Sequence, residues 1–513
     1  MPSKASRRLT PGKIAEDLFC LDPDRDERAS QLCAETLLTL VHNNYQSLPK
    51  SSELRSPKLQ RFAVRSLALA ENFLGGRKDG RAGDTTPDEY GASLSLGAQI
   101  RGSAHLNLAQ QTLQGLVDPD TQRAQKGAWL LRPFHESLLW YDARRPGPNS
   151  PEYSVRKVYM RGSGITLARL LVDPVDTEVA ALGRTAVVAI KEALTGASPL
   201  AEISRKLESA LPADQPYTSA PTLEQDEQEA WDRGSDPRLA DLAARLCRHC
   251  EGVMCQGGAS GPARLWQLRT ILALDLAIHA LRTAWNITDA PAEDRFLLLS
   301  FGGVPRATDA VRQRSEESYR RARIRLSEAT VRTLARRMRE LDEAHVVDWA
   351  AEFEPRSGLS NSDDTSVSTQ LAKLRHPADP EDYLRLARAS VEIANYGRAE
   401  DGFRVLLESV GLLAGTRYRY LTATPDLLAA LVGAMSARMP MASRDFFSAL
   451  KHEWGIVINQ ESSAGTALGS LLDGAGLERN ARRAEKLMSD GGLAVGLSDR
   501  TTMVGERAAR SRS

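Results

Sequence analysis

Three cysteines offer the clearest chemistry in the chain. Cys247, Cys250 and Cys255 follow a C-x2-C-x4-C spacing with His249 between them. Three thiolates so spaced can hold zinc or an iron–sulfur cluster. A complete set needs a fourth ligand, to be sought in His249, Cys20, Cys33 or His279. The same cysteines also read as the inner face of a helix, packed as small hydrophobes. Beyond that zinc or iron–sulfur option, no cofactor is expected.

A second candidate is electrostatic. Arg312, Arg314, Arg320, Arg321, Arg323 and Arg325 crowd into four turns of one helical segment, Arg332, Arg336, Arg337 and Arg339 follow, and Tyr319 is interleaved. Such a surface can neutralise phosphates in a salt-dependent way. Glu316, Glu317, Glu328, Glu340, Asp342 and Glu343 alternate with these arginines at spacings that allow i,i+4 pairs, so a salt-bridged, solvated face is the competing reading. Downstream, Arg417 and Arg419 alternate with Tyr418 and Tyr420, as on a strand with one face toward nucleic acid. Arg444, Ser448, Lys451 and His452 fall on a helix that could enter a groove, although Asp445 and Glu453 dilute its charge.

Catalytic patterns are sparse. Asp275 and His279 lie four apart and share a helix face, which suits either a dyad or a satisfied polar pair in a core. Asp173, Asp176 and Glu178 are scattered acids from which a metal-dependent nuclease site could be built, the alternative to a non-enzymatic role. Phosphate-binding loops of the G-x-x-x-x-G-K-[ST] type, H-E-x-x-H and G-x-S-x-G are absent from the sequence. Ser448 and Lys451 satisfy S-x-x-K by spacing alone and read as surface residues.

The elements that must position these residues are mostly helices. The chain has 513 residues with 42% hydrophobic, 26% charged and only 5% aromatic side chains, a balance that favours packed helices over a β-sandwich. A chain this long is expected to form two to four domains. Its net charge of +1 excludes a global field toward nucleic acid or anionic membrane, so binding must come from local patches. Met1 to Thr10 is basic without a following apolar core, no apolar run approaches the roughly 20 residues of a bilayer span, and five cysteines do not suit a disulfide framework. A cytoplasmic protein without a membrane partner is expected.

Breakers and charge divide the chain. The reading is a mixed α+β region over 1–211, an acidic linker over 212–237, a helical domain over 238–353, a linker over 354–381, a winged-helix-like domain over 382–461 and a flexible tail over 462–513. In the first region Ile14 to His42, Leu59 to Leu74 and Thr177 to Leu194 have helical spacing, while Ser154 to Val158 and Ile165 to Val172 read as strands. Gly261 and Pro262 introduce a helix apolar nearly all round, Ala263 to Trp285, which must be buried. A charged surface helix is expected over about 309–346. The winged-helix order runs helix (400–413), strand (417–421), helix (425–437), helix (444–454) and strand (455–459), with Thr424 and Ser443 as caps and Gly455 as a left-handed exit. The fold expected is thus mainly α and multidomain.

Several segments carry a resemblance: Leu265 to Trp285, the run Phe296-Leu-Leu-Leu-Ser-Phe-Gly-Gly-Val-Pro-Arg306, Val311 to Arg320, Tyr418 to Pro425 and Phe446 to Trp454. Over about residues 240–460 the chain resembles uncharacterised components of bacterial anti-phage defence islands of the methylation-associated or BREX-like kind. The resemblance implies a subunit of a multi-protein, restriction-like complex that contacts DNA or serves as a scaffold, double-stranded DNA among its partners, with the chemistry done by other defence-system proteins. It carries no catalytic residue over to this chain.

Overall fold

The computed structural model describes residues 11–20, 28–46, 53–56, 143–144, 154–155, 162–174, 176–196, 222–302, 306–345, 379–393, 398–436, 439–498 and 501–505. These residues are mainly helical, with short strands. The expected helix over 59–74 lies outside them, as does most of the linker expected over 354–381.

The chain forms two compact units, each assembled from separated segments. One comprises Arg28–Ala273 and Ala429–Met439. The other comprises Met1–Glu27, Leu274–Leu428 and Pro440–Ser513. Helix α1 (Pro11–Phe19) belongs to the second unit and is taken up with it below.

In the first unit, α2 (Ala29–His42), α3 (Ser163–Val172), α4 (Thr177–Thr195), α5 (Gln225–Arg233) and α6 (Ala240–Met254) pack around Leu32, Leu37, Ile165, Leu171, Ile190, Trp231, Leu246 and Val253, all essentially inaccessible to solvent. Ile165 to Val172, expected as a strand, is helix α3. Its apolar run is buried on nearly every side, and a fully buried helix has the same uninterrupted pattern as a buried strand. Its start is fixed by Glu35 of α2, whose carboxylate accepts from Gly162 N at 2.9 Å and Gly164 N at 2.7 Å. A carboxylate there satisfies amides that a helix start leaves open. Gly183 of α4 sits where a Cβ would stand 2.3 Å from Leu171 O and 3.1 Å from Cys247 Sγ, so only glycine lets the three helices approach this closely. Ser154–Val155 is a strand, β2, antiparallel to β1 (Ala143–Arg144). Within the stretch read as a linker, Gln225–Arg233 is helical because Glu224 and Glu227 form a capping box and Trp231 is buried.

Helix α7 (Gly261–Ile287) gives residues to both units, and its apolar positions are buried as its sequence requires. In the second unit the organising element is α8 (Ala310–Glu343), 34 residues long and therefore about 50 Å at 1.5 Å per residue. The expectation of a surface helix holds for one face only. Val311, Ser315, Tyr319, Ala322, Leu326, Ala329 and Met338 recur at helical spacing and are buried. Toward its end α8 packs with α1 and α9 (Pro380–Ile393) through Ile14, Leu334, Met338, Tyr383 and Leu386. Toward its start, Val311 packs with Phe296, Leu298, Val457, Leu468 and Leu477.

The remaining elements are β3 (Leu297–Leu298), α10 (Ala399–Ser409), β4 (Leu413–Ala414), β5 (Tyr420–Leu421), α11 (Pro425–Ser436), β6 (Met441–Ala442), α12 (Ser443–Trp454), β7 (Ile456–Val457), the single turns α13 (Gln460–Ser463) and α14 (Leu468–Leu471), α15 (Gly474–Asp490), β8 (Ala494–Ser498) and β9 (Thr501–Val504). Thr424 caps α11 through its hydroxyl, and Gly455 exits α12 at φ +69°. Ser443 lies inside α12 and donates its hydroxyl to Glu485 instead of capping. The pairing within 417–459 differs from the sequence reading. β5 pairs with β4, and β7 runs parallel to β3. Residues 462–505, read as a tail, contain α14, α15 and the β8–β9 hairpin, which closes on β6 in the order β6–β9–β8. Alternating buried Leu477, Ala481, Ala484 and Met488 hold α15 in place.

Among the described residues no helix is long and apolar enough to cross a membrane.

Candidate nucleic-acid interface

The arginines of α8 divide into engaged and unengaged groups. Arg314 donates to Glu317 at 2.6 Å, Arg321 to Glu317 at 2.8 Å and to Asp294 at 2.9 Å, and Arg325 to Glu328 at 3.3 Å. Arg332, Arg336, Arg337 and Arg339 pair with acids one turn away or, for Arg332, also with Asp289. Arg312 stacks over Tyr420 at 4.1 Å and stands 3.7 Å from Glu316. Such exposed helix pairs stabilise by only about 0.3–0.5 kcal/mol each. Their larger consequence is cancelled charge, and most of this face is the salt-bridged surface that the alternation of Arg and Glu allows. The arginines hold the Glu317 carboxyl below its usual range, Arg314 first.

Arg320 and Arg323 are different. Neither has an ion pair among the described residues, and the buried Nε of Arg323 lacks a hydrogen-bond partner among them. Both line an open groove of about 470 Å³ with Tyr319, Ile324, Ser327, Glu400 and the residues Arg417 to Arg419. Sequence alternation suggested a strand over 417–421, but strand geometry covers only Tyr420 and Leu421, and Arg417, Tyr418 and Arg419 form the turn of the β4–β5 hairpin. That turn reverses at Gly415, whose φ of +85° suits glycine.

Two serines explain why the hairpin lies against α8. Leu421 N donates to Ser315 Oγ at 2.8 Å, and Ser315 Oγ approaches Leu421 O at 3.0 Å. One turn on, Ser318 Oγ accepts from Leu298 N at 3.2 Å and donates to Ser315 O at 3.0 Å. The strand edges therefore find partners on the helix, which satisfies buried backbone groups. As a result, cations about 100 residues apart in sequence share one groove.

The groove's chemistry is cationic and aromatic. Arg320, Arg323 and Arg417 carry charge with no opposing carboxylate in ion-pair contact among the described residues, while Arg419 donates to Glu408 at 3.0 Å. Glu316 is held by three hydrogen bonds from Arg306, which raise the Arg306 pKa above its ordinary value. Glu400 is buried, and burial lifts its carboxyl above the usual range, against the opposing pull of Arg323. Tyr418 is 45% exposed and Ile324 54%. Arg306 and Arg417 lie over the Tyr418 ring at 3.8 and 5.4 Å. Tyr319 is 4% exposed, its hydroxyl makes no hydrogen bond among the described residues, and burial pushes its pKa up to about 12, so it remains a donor. Guanidinium forks suit phosphate oxygens, and an exposed ring suits an unstacked base.

The other sequence candidates fall elsewhere. Arg444 stands 3.7 Å from both Asp445 and Glu461, and Lys451 donates to Ala464 O, so α12 offers little unopposed charge. Cys247 and Cys250 are buried on the inner face of α6, and Cys255 is exposed just beyond its end. Cys247 Sγ donates to Leu170 O at 3.5 Å. Among the described residues no three His, Cys, Asp or Glu side chains stand together as a metal site. Asp173 pairs with Arg169 at 2.6 Å, and Asp176 caps α4 through Glu178 N. Asp275, fully buried, accepts from Trp454 Nε1 at 2.8 Å. Glu400, Ile324 and Ser327 were not singled out by sequence. They are ordinary residue types whose neighbours come from other segments. Comparison of the chain with known protein families, with curated proteins and with solved structures finds no match.

Proposed function

We propose that this chain is a non-enzymatic, DNA-contacting subunit whose groove between α8 and the β4–β5 turn grips the phosphate backbone of a nucleic-acid strand. One observation carries the reading. Arg320, Arg323 and Arg417, without ion pairs among the described residues while most arginines of α8 have them, converge with an exposed Tyr418 and the buried hydroxyl of Tyr319, which has no hydrogen-bond partner among those residues. The grouping selects an anion beside a planar or apolar surface, and a nucleotide strand provides both.

The resemblance to components of anti-phage defence islands supplies the setting: a cytoplasmic, multi-protein, restriction-like complex in which partner proteins perform the chemistry. A winged-helix-like arrangement at the C-terminal end belongs to the same reading. Co-purification from a native host tests the setting, since partners with motor or methyltransferase motifs support it. Titration of a fluorescent single-stranded 20-mer with the full chain tests the groove. Binding that weakens steeply with salt supports it, and no binding at low salt rejects it.

A further inference from the structure

The winged-helix order that the sequence placed at 400–459 is met instead from β6 onward, sharing β6 and α12 with that stretch. Strand β6, helix α12, helix α15 and hairpin β8–β9 occur in this order, with β7, α13 and α14 inserted between the two helices, and the sheet closes as β6–β9–β8 with both pairings antiparallel. First strand beside third, third beside second, and a helix leading directly into the hairpin make up the winged-helix arrangement downstream of its first helix. In that arrangement the helix before the hairpin is the one that enters the major groove of a duplex.

Helix α15 has the two faces such a role requires. Leu477, Ala481, Ala484 and Met488 are buried. Asn480 fixes the helix to the strand ends, donating to Leu299 O at 2.8 Å and Ile458 O at 3.0 Å and accepting from Phe301 N at 2.9 Å. Ser443 of α12 bonds Glu485 of α15, joining the two helices of the motif, and Arg483 bonds Gly302 O. The opposite face carries Arg479, Arg482 and Lys486 at i, i+3 and i+7, within one stripe. Arg482 and Lys486 are 75% and 76% exposed. Arg479 has no ion pair among the described residues.

We propose that α15 and the β8–β9 hairpin form a second nucleic-acid surface, one that reads duplex DNA, separate from the groove on α8. Arg479, Arg482 and Lys486 face the major groove, and Asn480 is a positioning residue. The opposing acids are Glu478, 3.6 Å from Arg482, and Asp490, 3.0 Å from Lys486. Both pairs are exposed and open at little cost.

The test uses the full-length chain, a labelled 20-base-pair duplex and the corresponding single strand, each titrated at several salt concentrations. The double variant R479E/K486E should weaken duplex binding at least tenfold, leave single-strand binding within about twofold and leave the thermal melt unchanged. D490N, which releases Lys486, should tighten duplex binding. Undiminished duplex affinity in R479E/K486E overturns the proposal. So does an equal loss for both ligands, or a wild-type chain that does not bind duplex at all. If the variant does not fold, D490N decides alone, and duplex affinity unchanged by it rejects the assignment.

Discussion

Trp454 Nε1 donates a hydrogen bond of 2.8 Å to Asp275 Oδ1, and both residues are fully buried. The pair joins the last residue of α12 to the apolar face of α7. Arg282, two turns further along α7, donates to the carbonyls of His452 and Glu453 at 2.8 and 2.9 Å, closing the C-terminus of α12. Asp275 and His279, which spacing alone would allow as a catalytic dyad, are 0% and 6% exposed. The acid serves as an anchor for a helix end.

Removing that donor leaves a carboxylate in the interior without its indole partner. Trp454→Phe keeps most of the apolar volume and removes one buried hydrogen bond to an acidic side chain, so the expected loss of stability is about 1–3 kcal/mol. Urea denaturation of the two proteins measures it. Unchanged midpoints would show that Asp275 does not depend on this bond.

Glu400 should make stability depend on pH. Burial, its largest influence, raises the folded-state pKa above the ordinary 4.5, Asp401 adds to the rise, and Arg323, Arg398 and a backbone hydrogen bond oppose it. The folded state thus holds the proton more tightly than the unfolded chain. This contribution is fully present below the unfolded value and is lost as pH rises through the folded one. Glu400→Gln removes the loss, so its urea midpoint should exceed that of wild type at neutral pH and match it near pH 4. Parallel curves across that range would contradict this account.

Cysteine reactivity should follow burial. Cys33 is buried, and its thiol pKa is pushed up to about 12 by burial despite nearby Arg269. Cys247 and Cys250 are also buried, whereas Cys255 is exposed. Iodoacetamide treatment of the native protein followed by mass spectrometry should therefore modify Cys255 and spare Cys33, Cys247 and Cys250 until denaturant is added. Rapid native labelling of Cys33 would contradict the buried placement. Zinc that protects Cys255 from native labelling would revive the three-thiolate site.

Arg321 provides a control within the same helix. It is committed to Glu317 and Asp294, so Arg321→Ala should change nucleic-acid affinity less than twofold while Arg320→Ala weakens it several-fold. Each lost phosphate contact also lowers the salt slope by roughly 0.7 to 0.9. Equal losses for the two variants would place binding on the whole arginine face and not on the groove.

How far the sequence reached depended on whether partners were local. The burial of α7, the extent of α8 and the left-handed exit at Gly455 are set by neighbouring residues and were legible. The pairing of Arg314, Arg321 and Arg325 with acids three or four positions away was visible as one of two readings. Ile165 to Val172 was not legible as a helix, because its start is satisfied by Glu35, 127 residues earlier. The hairpin turn at 417–419 looked like a strand because alternation persists through a turn, and its docking depends on Ser315, 106 positions away. The order of β6, β8 and β9 needed the contacts of 494–504, in a segment whose Gly, Ser and Arg content suggested a tail. Of the groove, the cations and tyrosines were named from sequence, but which of them stood unopposed was decided by tertiary contacts.

The most direct test of the central claim is fluorescence anisotropy of a labelled single-stranded 20-mer against the wild-type chain and the triple variant R320E/R323E/R417E, each from low to physiological salt. The account predicts salt-dependent binding by wild type, at least a hundredfold weaker binding by the variant and a shallower salt slope, with unchanged thermal melting. Equal affinity and equal slope for the two proteins would contradict it.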